Sequence, residues 1–164
     1  MERALLRMFA AGTAAAALAA FPIAAVAQSD QKPTHAEEVQ HWAEVGIDNQ
    51  LKGLKTSLRL TADQEKNWDA FASAVKDGQM ARVLALQKEQ SGALSPMALN
   101  VAKAERLQQS QANLQKIIDA ATPLYTSLDK AQKHKFITQG RMLVPERGQF
   151  AKAMRHAGTA AKGD

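Results

Sequence analysis

The strongest constraint on this 164-residue chain is a phrase it carries twice. Residues 57–68 read SLRLTADQEKNW, and residues 127–136 read SLDKAQKHKF. Each has a Leu, then a capping-type residue, then Gln three positions later and a large aromatic four beyond that. The first set is Leu60, Thr61, Gln64 and Trp68; the second is Leu128, Asp129, Gln132 and Phe136. A Thr or Asp at a helix N-cap accepts from the backbone N–H of the third helical residue, and a Gln there can reach back to the N–H of the cap. Both phrases are therefore helix starts, with the Leu outside the cap free to pack inward and the aromatic able to close over the same corner. They lie 68 residues apart and each follows a helical segment. The chain is thus expected to form two helical hairpins, each turning at a capped corner, with these eight residues acting as structural caps and corners.

Apolar spacing fills in the rest. Thr34 and Glu37 make a capping box after Pro33, and Val39, Ala43, Ile47, Leu51, Leu54 and Leu58 follow at steps of four and three. A second helix starts at Thr61, with Trp68, Phe71, Ala72 and Val75 on its apolar face, continued less cleanly by Met80, Val83 and Leu86. Asp77-Gly78 interrupts it, and Gly in a helix interior costs about 1 kcal/mol, so a bend is expected there. QSGALSP at 90–96 reads as a loop. A third helix is expected from Met97 to Thr126, with Leu107, Leu114, Ala121 and Leu128 spaced by seven, as are Ala104, Gln111, Ile118 and Tyr125. That register fits a short coiled coil or packing within a hairpin, and Pro123 can kink its end. A fourth helix runs from Asp129 to Met142. Beyond Pro145, ERGQFAKAMRHAGTAAKGD is polar, basic and glycine-bearing, and reads as a flexible tail over 145–164. No sustained two-residue alternation occurs, so the fold class is all-α, a four-helix hairpin chain. Trp42 and Trp68 both read as core residues.

The N-terminus has the layout of a secretory signal peptide. Arg3 and Arg7 precede the uncharged run MFAAGTAAAALAAF, Pro22 breaks it, and AVA at 25–27 sets small residues for cleavage between Ala27 and Gln28. The expected organisation is a signal peptide over 1–27, a polar tether over 28–33, a helical domain over 34–144 and the tail. Of 21 basic and 16 acidic residues, the leader removes Arg3, Arg7 and Glu2, leaving 19 against 15. An excess that small does not argue for nucleic acid. With no Cys, an exported chain must hold its fold by packing, either alone or against a second copy.

LTADQEKNWDAF and LDKAQKHKF, with AATPLYTS leading into the second, resemble the paired motifs of the Spy/CpxP, or LTXXQ-motif, family. Asp129 stands where that pattern has Thr. The likeness spans about residues 35–144. It implies a cradle-shaped antiparallel homodimer in the bacterial periplasm, belonging to the envelope stress response. It further implies an ATP-independent chaperone-like holdase for unfolded or aggregation-prone envelope proteins. The alternatives within the family are an adaptor restraining the periplasmic domain of a stress-sensor kinase, and a metal-responsive sensor.

Other chemistry finds little footing. No Gly-rich phosphate cradle, nucleophile elbow or paired-carboxylate constellation occurs, so no catalytic residue and no cofactor is expected. His35 and His41 are six apart, nearly opposite on a helix, and no two His are spaced by four, so no metal set is expected. The basic residues Lys130, Lys133, Lys135 and Arg141 would attract acidic clients if helix four lined a concave face; the plain alternative is a solvated helix face. An apolar patch must accompany them to hold client chains, with Met80, Val83, Met142 and Leu143 as candidates.

Overall fold

The computed structural model describes residues 34–160. The expected signal peptide and tether lie outside the described residues. Six α-helices and one 3-10 turn follow in order: α1 His35–Leu58, α2 Ala62–Glu65, α3 Trp68–Gln90, α4 Pro96–Ser127, α5 Lys130–Gly140, the 3-10 turn Arg141–Leu143, and α6 Arg147–Ala160. The described residues contain no strand. The fold class is all-α.

α1 begins as its sequence dictates. Thr34 accepts from the Glu37 N–H, and the Glu37 carboxylate accepts from the Thr34 N–H at 2.7 Å and from its hydroxyl at 2.9 Å. The backbone and side-chain bonds from Thr34 hold the Glu37 pKa below its ordinary value. Because the folded value is the lower one, this contribution is complete above the ordinary carboxylate pKa and fades as pH falls through the lowered one. The amide resonances of Thr34 and Glu37 should therefore titrate together, below the pH range of an unperturbed Glu, while the amides at Leu54 stay fixed. At its other end α1 stops on Arg59, whose left-handed backbone (φ 50°) turns the chain.

α1, α3 and α4 form one layer with α3 in the middle. α5, the 3-10 turn and α6 form a shorter second layer, with α5 on α1 and α6 on α4. The core lies between the layers. Ile47, Leu51, Leu54 and Leu58 of α1 meet Trp68, Phe71 and Val75 of α3 and Leu114, Ile117, Ala121 and Leu124 of α4. Aromatic rings run through it in a chain: Trp68–Phe71, Phe71–Phe136, then Phe136 against both Tyr125 and Phe150, with centroids 5.0–6.0 Å apart. Tilted aromatic pairs at these separations add to the area they bury.

Four expectations need correction. The segment from Thr61 is not one helix. α2 closes after a single turn, with the Asn67 N–H bonded to the Gln64 carbonyl three residues back, and α3 restarts at Trp68. That i→i+3 closure is tighter than an α-helical turn, and Trp68 enters the core directly after it. Gly78 is buried inside a continuous α3; a Cβ there would come within 3.2 Å of the Ile117 δ-methyl, so its smallness serves a close α3–α4 approach.

The largest correction concerns the segment read as a flexible tail. Residues 147–160 are α6, and Phe150, Ala151 and Met154 are buried against the core. Their spacing by one and four puts them on one stripe of a helix, while Arg147, Lys152 and Arg155 stay exposed. The basic residues that suggested a tail are only the outer face of a packed helix. Trp42 departs in the opposite direction: it is 69% exposed rather than core.

Candidate functional site

The two repeated phrases meet in space. At the first corner Thr61 caps α2, accepting from the Gln64 N–H, while Gln64 Oε1 accepts from the Thr61 N–H at 3.0 Å. At the second, Asp129 accepts from the Gln132 N–H at 2.8 Å, and Gln132 Oε1 accepts from the Asp129 N–H at 2.9 Å. The two glutamine amides then bond to each other. Gln64 Nε2 donates to Gln132 Oε1 at 3.0 Å, and Gln132 Nε2 donates to Gln64 Oε1 at 3.1 Å. Each spare N–H reaches the end of the helix that precedes the other motif: Gln64 Nε2 donates to Ser127 O at 2.8 Å, Gln132 Nε2 to Leu58 O at 3.0 Å. Both amides are buried, and every donor and strong acceptor site on them is used.

This explains both the residue type and its doubling. Glu could accept but not donate, and Asn is one methylene shorter. Only a Gln at N3 can cap its own helix and clasp the other one. Leu60 and Leu128 flank the clasp against the core, with Trp68 and Phe136 buried beside it. The eight motif residues thus assemble into one structural corner. The reciprocal amide pair was not foreseen from sequence; its signal was a Gln at the same capped position in both copies, flanked in each by apolar residues.

The four basic residues do not form one face. Lys133 lies over the Tyr125 ring with Nζ 5.5 Å from its centroid, while Lys135 Nζ donates to Ser57 O at 3.2 Å, on the α1 side of α5. Lys130 and Arg141 are exposed. Burial raises the Tyr125 pKa, with Arg155 pulling against it. Among the described residues no cluster of three His, Asp or Glu side chains stands close enough to hold a metal ion, and His35, His41, His134 and His156 are all exposed. No helix of the described residues is long and apolar enough to cross a membrane.

The apolar surface lies elsewhere than expected. Leu143 is buried, Met80 and Val83 are half-buried, and of the four candidates only Met142 is exposed. The second layer covers only the half of the first that lies beside the clasp. α6 runs along α4 from Ser110, which bonds Glu146, to Tyr125, which touches Gly158. Past Ser110 the cover stops. Leu107 shares a heptad position with the buried Leu114, Ala121 and Leu128, yet it is 60% exposed. Leu84 of α3, Met97 (80%) and Val101 of α4, and Trp42 of α1 are also exposed in this half of the layer, on sides of their helices turned away from the core. Leu84 is nine residues from buried Val75 and Trp42 nine from buried Leu51, half a turn round the helix. A groove of about 440 Å³ there is lined by Leu94, Met97, Val101 and Ala102, with Lys88 and Glu105 at its edge. Arg106 beside it pairs with Glu89 at 2.6 Å. An exposed apolar groove of this kind, edged with charge, marks an interaction surface.

Residues 46–140 match the sequence model of a family described as LTXXQ motif family protein, a span of more than half the chain that holds both corners and ends before α6. Searches of curated proteins and of solved structures returned no match. With both motifs present and their glutamines clasped, this chain belongs to the LTXXQ motif family.

Proposed function

We propose that this protein is a periplasmic, ATP-independent holdase that binds exposed apolar segments of unfolded envelope proteins on the uncovered half of its helical layer. The observation that carries the reading is the apolar groove at Leu94, Met97 and Val101, with Leu107, Leu84 and Trp42 also left in solvent in this half, interspersed with Lys88 and Lys103. Such a surface takes up apolar chain weakly and without a fixed sequence, and the surrounding charge keeps it soluble. Nothing in this scheme is catalytic. The periplasmic address rests on the leader layout of residues 1–27 and on the habit of the family. Pairing of two copies into a homodimer belongs to the same proposal, since it would join two uncovered layers into a longer surface.

The purified chain should suppress aggregation of a chemically unfolded model protein at near-equimolar ratio, without nucleotide. The triple variant Met97→Glu, Val101→Glu, Leu107→Glu should lose most of this suppression, by tenfold or more in the concentration needed, at an unchanged melting temperature. Full suppression by that variant would remove the uncovered half from the mechanism. Tight binding that saturates at one copy of a sensor-kinase periplasmic domain, with no suppression, would favour the adaptor role instead.

A further inference from the structure

A second site lies at the junction of the two layers, apart from the uncovered half. A cleft of about 190 Å³ is lined by Gln79 and Arg82 of α3, the 3-10 turn and the chain after it, and Arg147 in the first turn of α6. Its exposed wall is mostly polar. Arg82 and Arg147 come from segments 65 residues apart in sequence, and among the described residues no carboxylate lies within ion-pair distance of either. The Glu146 carboxylate next to Arg147 is turned toward α4, where Oε1 accepts from the Ser110 hydroxyl and Oε2 is buried without a partner. Gln79 Nε2 donates to Leu143 O at 3.0 Å and fixes the wall between α3 and the turn. Two permanently charged guanidiniums lining one small polar cleft favour an anion there, and a guanidinium's planar fork fits a carboxylate. The N-terminal end of α6 adds to the positive field, with Gly148 leaving its backbone open.

The neighbouring cleft supplies the rest of the ligand. It is larger, about 520 Å³, its exposed wall is mainly apolar, and it runs between α1 and α5 past Gly53, Leu54 and Thr138. Met142 and Leu143 line both clefts. Gly53 leaves its side of α1 empty, with nothing within 4 Å of a Cβ placed there. A carboxylate held by the arginines therefore sits one side chain away from an apolar trough, across the exposed Met142.

We propose that this pair of clefts binds the free C-terminus of a peptide chain ending in an apolar residue: Arg82 and Arg147 take the carboxylate, and the trough beside Met142 and Gly53 takes the terminal side chain. A C-terminal residue is the peptide group that carries a carboxylate and an apolar side chain on one Cα. This site stands whether or not the uncovered half holds clients, and its test does not use aggregation. Acetyl-Leu-Leu with a free carboxylate, its C-terminal amide, and acetate should each be titrated into the isotope-labelled chain. The free acid should shift the amides of Gly53, Leu143 and Gly148 and bind at least tenfold tighter than the amide or acetate. Arg82→Gln and Arg147→Gln, both at exposed positions, should each abolish that preference at an unchanged melting temperature. Equal binding of acid and amide, acetate binding as well as the dipeptide, or a preference that survives both variants would overturn the proposal.

Discussion

Phe150→Ala should destabilise the protein by about 3–5 kcal/mol, the range for emptying a fully buried Phe site. Phe150 has no exposed surface, and its ring stands 6.0 Å from that of Phe136. Met154 one turn on is equally buried, and Gly140 lies within 3.8 Å of both Phe150 and Leu54 when given a Cβ. The lost side chain would leave a void at the point where α6 seals α4, and α6 has few polar bonds to hold it in place. Against a total stability of about 5–15 kcal/mol for an ordinary domain, that loss is a large fraction. Chemical denaturation should show a lowered midpoint with a single transition. Lys152→Ala, on the solvent face of the same helix, should stay within about 0.5 kcal/mol of the parent. If the two variants behave alike, residues 147–160 do not pack as a structural helix.

The glutamine clasp gives the second large effect, and its signature is non-additivity. Gln64→Ala removes the acceptor of the Thr61 N–H, the donor to Ser127 O, and both bonds to Gln132. Each buried group left unpaired costs about 1–3 kcal/mol, so the variant should lose roughly 2–4 kcal/mol once partial relaxation is allowed. Gln132→Ala should lose a similar amount. The double variant should lose less than the sum, because the second substitution removes a group the first has already orphaned, giving a coupling of about 0.5–3 kcal/mol. Strict additivity in a double-mutant cycle would mean the two amides do not meet. Gln64→Glu is the sharper probe. It sets a carboxylate against Ser127 O and Gln132 Oε1, so burial and acceptor contacts raise its pKa, and the variant should weaken further as pH rises through that value.

How much of this was legible in the sequence depended on how local the cause was. The caps at Thr34, Thr61 and Asp129 are set within four residues, and all three form their boxes. The loop around Gly92 and the length of α4 followed from equally local breakers and caps. Leu107 and Trp42 could not be placed this way. The helical position of Leu107 matches that of buried Leu114, and only the extent of the second layer decides that the core does not reach it. Trp42 stands nine residues from buried Leu51, half a turn round α1, so its size pointed inward where its spacing pointed outward. α6 is hidden for another reason: the charge of the whole segment masks the four-residue step from Phe150 to Met154 that marks its inward stripe. The clasp required knowing that two Gln side chains 68 positions apart share one buried spot. No window along the chain reports that.

The clasp also bears on the order in which the chain can fold. A hairpin corner with an ordinary capping box is finished once its own residues are in place. Here each corner stays unfinished until the other arrives, because each amide depends on a carbonyl and an amide from the far motif. A chain emerging N-terminus first, from a ribosome or a translocation pore, therefore holds the Gln64 amide with three of its four bonds open until residues 127–132 have followed. Closing so long a loop is entropically slow. The paired glutamines thus act as a coincidence check, locking the fold only when both halves of the chain have been delivered.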